Sequence, residues 1–226
     1  MQRYILNEET KTFYKSDIHH ITKVMRMNDG DEIIVCLNNE CFYANLIINN
    51  NNVSYQLNNK INNNKTLDIT LVQGLLKGNK LDTTIKYATI FGAKQFILTP
   101  FERSISKLKN TDFKEERYFN IAKEAAELSH REMIPKIVTK ASLKSIDWQQ
   151  FDLIILADEN ETNILKDFDK NKYLNKKIAI IIGPEGGISE NERNYFKTLN
   201  VLSVSLGNYI FPAEIAAISL LNSLNN

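Results

Sequence analysis

The spacing of apolar residues changes character partway along the chain. Early on they form short extended runs, Glu32–Leu37, Cys41–Ile48 and Val53–Leu57, separated by Asn38-Asn39 and Asn49–Asn52. Such runs, bounded by asparagine, predict strands joined by tight turns. One helix interrupts them, with Ser16 as its expected N-cap and Ile18, Ile21 and Val24-Met25 on one face. Asn28-Asp29-Gly30-Asp31 then turns the chain. Short strands with a single helix predict a small β-barrel. The asparagine-rich stretch Asn58–Lys65 reads as a linker, which divides a domain of residues 1–66 from one of residues 67–226.

Beyond the linker, strand-like and helix-like periods alternate. Ile69–Val72 predicts a strand and Lys80–Phe91 a helix, with Leu81, Ile85 and Ala88 on one stripe and Gly92 as its stop. Phe96–Leu98 follows as a strand, Asp112–Arg131 as a long helix, and Leu153–Leu156 as a strand. Ile178–Ile182 is continuously apolar, as strands buried on both faces of a parallel sheet are. Ser189–Leu199, Leu202–Leu206 and Ala213–Leu224 complete the series as helix, strand and helix. This alternation predicts an α/β domain with a mostly parallel sheet.

Composition changes little in that picture. The 226 residues are 43% hydrophobic and 24% charged, which is ordinary for a globular chain. No run of roughly 18 or more apolar residues predicts a membrane span, and Met1–Asn7 lacks the apolar stretch of a secretory signal. Two cysteines, Cys36 and Cys41, fit an intracellular protein with reduced thiols. The net charge of +1 names no partner. Basic residues do gather locally: Arg3, Lys23 and Arg26; Arg103, Lys107 and Lys109; Arg131, Lys136, Lys140 and Lys144. An RNA backbone needs such groups, although single lysines on solvated faces are common. Three histidines and two cysteines at these spacings make no zinc site, and no metal is expected.

Ligands of parallel sheets bind outside the carboxyl ends of the strands. Three such ends carry chemistry here: Leu156-Ala157-Asp158-Glu159, Ile182-Gly183-Pro184-Glu185-Gly186-Gly187 and Leu206-Gly207-Asn208-Tyr209-Ile210-Phe211. The second is the sharpest. Its glycines permit close backbone approach and positive φ, Pro184 stiffens the turn, and Ser189-Glu190-Asn191-Glu192 is a capping box that starts a helix at once. The pattern is neither a dinucleotide G-x-G-x-x-G nor a P-loop, which counts against a nicotinamide enzyme or an ATPase. A ligand-free tight turn remains open on these residues alone.

Gly183–Gly187, followed by Ile188-Ser189 and an acidic residue, is similar to the signature of the RsmE family of ribosomal RNA methyltransferases, of the SPOUT class. Further blocks resemble that family in its order along the chain. They are His20–Arg26 with Asp29-Gly30-Asp31, Gln73–Lys80, Thr89–Gly92, Glu102-Arg103-Ser104 and Glu124–Arg131. The resemblance implies a PUA-like β-barrel that helps hold RNA, and a C-terminal α/β domain with a deep trefoil knot. It implies methylation of the N3 of a uridine in 16S ribosomal RNA of the small subunit, with S-adenosylmethionine as cofactor, and a cytoplasmic homodimer with the final helix in its interface. The cofactor would be wrapped by Leu156, Ala157, Asp158, Glu159, Ile182, Gly183, Pro184, Gly187, Leu206, Gly207, Tyr209, Ile210, Phe211 and Ala213.

The last block departs from the family, which carries arginines where this chain has Tyr209 and Pro212. Losing them removes fixed charge and donor forks. A second expectation is therefore a divergent relative that binds S-adenosylmethionine and RNA but modifies another site, or none. A nucleotide-binding α/β enzyme unrelated to RNA is disfavoured by the missing phosphate motifs. Candidate catalytic residues are Glu185, Glu214 and Arg103; Glu214 also suits a helix start by its charge alone. RNA contact is expected from Arg3, Lys23, Arg26, Arg103, Lys107 and Arg131.

Overall fold

The structure, a computed structural model, describes residues 1–50, 52–62, 65–106, 111–165 and 168–225. It divides into two compact units, Met1–Asn64 with Ala126–Ile134, and Lys65–Ala125 with Pro135–Asn226. The boundary drawn from sequence placed Ala126–Ile134 in the second domain. These residues pack with the first unit because Ala126 and Ile134 join the apolar cluster of Ile5, Cys36 and Cys41, and the Glu127 carboxylate accepts the Ile5 backbone N–H at 2.9 Å.

The first unit is a four-stranded sheet in chain order: β1 (Arg3–Ile5), β2 (Glu32–Leu37), β3 (Glu40–Asn49) and β4 (Asn52–Ile61). β1 runs parallel to β2, and the other pairs are antiparallel. Tyr4, Leu6, Phe13, Ile21, Ile33, Val35, Ala44 and Leu46 form its core. The expected linker is partly strand, since Lys60 and Ile61 pair with Phe42 and Cys41. The long partner strand extends the ladder through residues that are poor strand formers on their own. The helix α1 (Lys15–His19) starts one residue before the expected Ser16 cap. The Asp17 carboxylate accepts the Tyr14 backbone N–H at 3.1 Å, so a carboxylate rather than a serine closes this end. His20–Val24 continues as a π-turn, closed by Met25 N–H donating to His20 O at 2.8 Å. Cys36 and Cys41 stand directly opposite in the β2–β3 hairpin and form a disulfide, correcting the expectation of two reduced thiols.

The second unit is a six-stranded parallel sheet flanked by helices. Its strands are β5 (Asp68–Gly74), β6 (Ala93–Thr99), β7 (Lys136–Thr139), β8 (Leu153–Ala157), β9 (Lys177–Ile182) and β10 (Leu202–Val204), in the order β10-β8-β9-β5-β6-β7. Its helices are α2 (Lys80–Ile90), α3 (Thr111–Leu128, whose residues from Ala126 on belong to the first unit), α4 (Glu190–Lys197) and α5 (Ala213–Asn225). From β5 the chain builds outward to β7, crosses to β8, and then inserts β9 between β8 and β5. The carboxyl ends of β5, β8, β9 and β10 therefore gather where the strand order reverses. Ile178–Ile182 is wholly buried, as its unbroken apolar run requires. On α5 the buried positions are Ala213, Ala216, Ala217, Leu220, Leu221 and Leu224, a helical stripe.

One strand was not read from the sequence, and several boundaries differ from those read there. The edge strand β7 had no strong signal of its own. α3 ends at Leu128 rather than Arg131, closed by Arg131 N–H donating to Ala126 O at 2.9 Å with His130 at φ 59°. β10 stops at Val204, because Ser205 turns to bridge Ile164.

The capping box of α4 is formed as its sequence predicts. Glu192 N–H donates to Ser189 Oγ at 3.2 Å, and Ser189 N–H donates to Glu192 Oε2 at 2.9 Å. Ser189→Ala should lower unfolding free energy by about 1 kcal/mol in urea denaturation.

Candidate active site

The three loops expected to carry chemistry meet at the carboxyl edge of the parallel sheet, around a cleft of about 620 Å³. All the residues expected to wrap a cofactor line it except Leu156, whose side chain belongs to the sheet core. The lining adds Lys80, Glu161, Gly186, Ser205, Asn208, Pro212 and Ala216, which were not expected to bind the cofactor, together with the catalytic candidate Glu185.

The glycine loop owes its path to β5. A Cβ on Gly74 would lie 2.6 Å from the Pro184 nitrogen and 2.9 Å from the Gly183 carbonyl carbon, so only glycine lets the two backbones approach this closely. Beside it Gln73, fully buried, donates its amide to the carbonyls of Gly74 and Gly183 at 3.1 and 3.3 Å. Gly187 takes φ 71°, and a Cβ there would meet the Glu159 carboxylate at 2.4 Å. Glu185 is held from two sides: Lys77 N–H donates to it at 3.0 Å, and Lys80 Nζ lies 3.4 Å away. Burial alone would raise the Glu185 carboxyl, but the Lys77 N–H and Lys80 charge hold it below its ordinary value. That favours an ion over a proton acceptor.

Asp158, at the end of β8, lines the cleft, yet its carboxylate is already engaged. Arg193 of α4 grips it as a fork, Nε to Oδ2 at 2.7 Å and Nη2 to Oδ1 at 2.8 Å, and reaches Glu159 at 3.3 Å. Burial works to raise the Asp158 carboxyl, and the Arg193 fork with the Asn160 N–H overcomes it, so the group sits below its usual range. In the third loop Gly207 takes φ 123°, and Ser205 Oγ lies within hydrogen-bond distance of its backbone N and O. Tyr209 and Ile210 stand 81% and 83% exposed at the rim. Pro212 closes the loop, its carbonyl accepting the N–H groups of Ile215 and Ala216 at 2.9 Å.

Of the candidate catalytic residues, only Glu185 lines the cleft. Glu214, in the first turn of α5, has its Oε2 buried and 3.8 Å from Lys80 Nζ. Arg103 is exposed and donates to Gly186 O at 3.2 Å. Among the expected RNA contacts, Lys23 and Arg26 are exposed in the first unit. Arg3 instead donates to the carbonyls of His130 and Arg131, which ties it to its own unit. Burial pushes the Arg131 guanidinium down to about 10, against the opposing pull of Glu132. Lys107 and Lys109 lie outside the described residues. Tyr4 Oη pairs with His20 Nδ1 at 2.9 Å, giving that signature histidine a packing partner. Lys80 is the functional candidate that sequence reasoning missed. Its place in the Gln73–Lys80 block was visible, but its carboxylate neighbours were not.

Residues 62–225 match the family model described as an RNA methyltransferase domain, and residues 13–44 match an RNA methyltransferase PUA domain. Fold and sequence thus define an RNA methyltransferase with an N-terminal PUA-like domain and a SPOUT-like parallel-sheet domain. Ribosomal RNA small subunit methyltransferase E of Bacillus subtilis is 32% identical, over 100% of this chain and 96% of that protein. The protein of the same name from Mesomycoplasma hyopneumoniae is 28% identical, over 98% and 97%. A crystal structure of a ribosomal RNA small subunit methyltransferase E from Neisseria gonorrhoeae bound to S-adenosyl methionine has the same fold. It superposes with a TM-score of 0.83 at 21% identity, covering 99% of this chain and 96% of that one. The chain belongs to the RsmE family of ribosomal RNA small subunit methyltransferases.

Two outcomes follow from the site's geometry. Gly74→Ala forces a carbon against the Pro184 backbone and should cost roughly 1–3 kcal/mol, read as a fall in thermal midpoint. The Asp158 pKa is lower in the folded chain than in the unfolded one. The pair's stabilisation is therefore complete above the unfolded carboxylate value of about 3.9 and is lost as pH falls through the lower folded value. Asp158→Asn should cost roughly 2 kcal/mol near neutrality. The gap to the unmodified protein should close below about pH 4 in urea titrations across pH.

Proposed function

We propose that this protein transfers a methyl group from S-adenosylmethionine to the N3 of a uridine in 16S ribosomal RNA of the small subunit. The observation that carries this reading is the cleft itself, built by the glycine loop of a chain that is similar over its full length to curated methyltransferases of that RNA. The cleft suits the cofactor. Positive φ at Gly187 and Gly207, both in the lining, lets the backbone approach a ligand closely without a side chain in the way. Its lining also carries the carboxylates of Asp158, Glu159, Glu161 and Glu185 against the single cation Lys80, among the described residues, and such a field favours a positively charged ligand.

Bound there, S-adenosylmethionine supplies an electrophilic methyl group on a cationic sulfur. The chain's own residues then have four tasks. The Gly183–Gly187 and Leu206–Phe211 loops fix the methyl donor's position, and positioning alone is worth several kcal/mol. Arg193 keeps Asp158 in place, which holds the start of α4 against β8. Asn208 and the exposed Tyr209 and Ile210 form the rim past which an RNA base must enter. Lys23, Arg26 and Arg103 are the exposed cations available to phosphate groups among the described candidates. The same family membership supports a trefoil knot through the three loops, a homodimer joined at α5, and a cytoplasmic location where the small subunit is found.

Small subunits from a strain lacking the endogenous enzyme, incubated with labelled S-adenosylmethionine, should gain label on one uridine of 16S RNA. Unlabelled RNA, with cofactor binding intact, would favour the divergent relative that Tyr209 and Pro212 raise. Tyr209→Arg with Pro212→Arg should then restore labelling if those positions are the cause.

A further inference from the structure

We propose that Lys80 is the catalytic cation that stabilises the uracil anion; this rests on the uridine-methylation reading above. Removing the N3 proton leaves negative charge spread over N3 and its flanking carbonyl oxygens. The acidic lining that suits a cationic methyl donor opposes that charge, so a cation is needed within the cleft. Among the described lining residues Lys80 is the only one. Of the neighbouring arginines, Arg193 is committed to Asp158 and Glu159, and Arg103 does not line the cleft: it stands exposed on the outer side of the glycine loop, donating to the Gly186 carbonyl.

Lys80 is poised for the task. Its Nζ lies between the carboxylates of Glu185, at 3.4 Å, and Glu214, at 3.8 Å. Both distances exceed the roughly 2.7–2.9 Å of a tight charge-assisted hydrogen bond. Each carboxylate also has another source of stabilisation, Glu185 from the Lys77 N–H and Glu214 from the N-terminus of α5. The side chain is 41% exposed, so the ammonium can turn its protons toward a base in the cleft.

The balance of the step is simple. The N3–H bond breaks and the proton passes to solvent water. The N3 pair forms a bond to the methyl carbon while the carbon–sulfur bond breaks, leaving a neutral thioether. Lys80 gives up no proton; it lowers the energy of the anion.

The test measures single-turnover methylation of small subunits across pH by the full chain and by Lys80→Gln and Lys80→Arg. Calorimetry of S-adenosylmethionine binding accompanies each. Lys80→Gln should lose about a hundredfold in rate near neutrality, as loss of one preorganised charge or donor does. The deficit should shrink as pH rises and the uracil ionises unaided, and again with RNA carrying 5-fluorouridine, whose imide is more acidic. Cofactor affinity should stay nearly unchanged, and Lys80→Arg should keep most of the rate. Equal loss at every pH and with both RNAs, or loss explained by weakened cofactor binding, overturns the proposal. If the lone substitution leaves the acidic pair too repulsive to fold, Lys80→Gln with Glu185→Gln is compared with Glu185→Gln alone, and the same dependence of the rate deficit on pH and on 5-fluorouridine is expected between those two. Failure of the unmodified protein to label uridine would instead reject the functional reading.

Discussion

Gly74 and Pro184 approach so closely that no side-chain carbon fits between them. The end of β5 can serve as the bed for the Gly183–Gly187 loop because Gly74 presents only backbone there, while Gln73 beside it satisfies the loop's carbonyls with its buried amide. That contact is possible because β9 enters between β5 and β8. Much of the cleft depends on it. With the loop laid on β5, Glu185 reaches the Lys77 N–H and the Lys80 ammonium, and α4 begins directly after the loop, with Arg193 facing Asp158.

Charge in the cleft is arranged with unequal commitments. Asp158 is neutralised by a two-point fork from a largely buried guanidinium, so it acts as structure despite lining the cleft. Glu185 is fixed by a backbone donor and a looser ion pair. Glu159 shares Arg193 and also stands against Gly187, where any side chain would collide with it. The result is a concave surface whose field is mostly negative and whose one described cation is only partly engaged. Such a surface accepts a positively charged ligand and still retains a local means of countering an anion.

The first unit shows the same economy with its arginines. Arg3 and Arg131 looked like phosphate contacts when only their charge was known. In the fold, Arg3 ties Ala126–Ile134 down through two carbonyls, and Arg131 is largely desolvated. Lys23 and Arg26 remain exposed at the end of the α1 segment. The cysteines follow the same logic: as two isolated residues they implied free thiols, whereas the β2–β3 register sets them face to face.

Local signals in the sequence determined a great deal. The apolar run Ile178–Ile182, the helical stripes of α2 and α5, the Ser189–Glu192 cap and the glycine loop each express their conformation within a few residues, and each stands where it was expected. The ordered family blocks carried the class of protein, and the strand-end rule found most of the cleft lining. The tertiary structure alone decided which strand neighbours which, that Ala126–Ile134 joins the first unit, that poor strand formers extend β4, and that Lys80 meets Glu185 and Glu214. The physical reason is range. Caps, turns and periodicities are fixed by forces between residues a few positions apart. The partners of an ionised side chain, and the solvent left around it, depend on segments distant in the chain that only packing brings together.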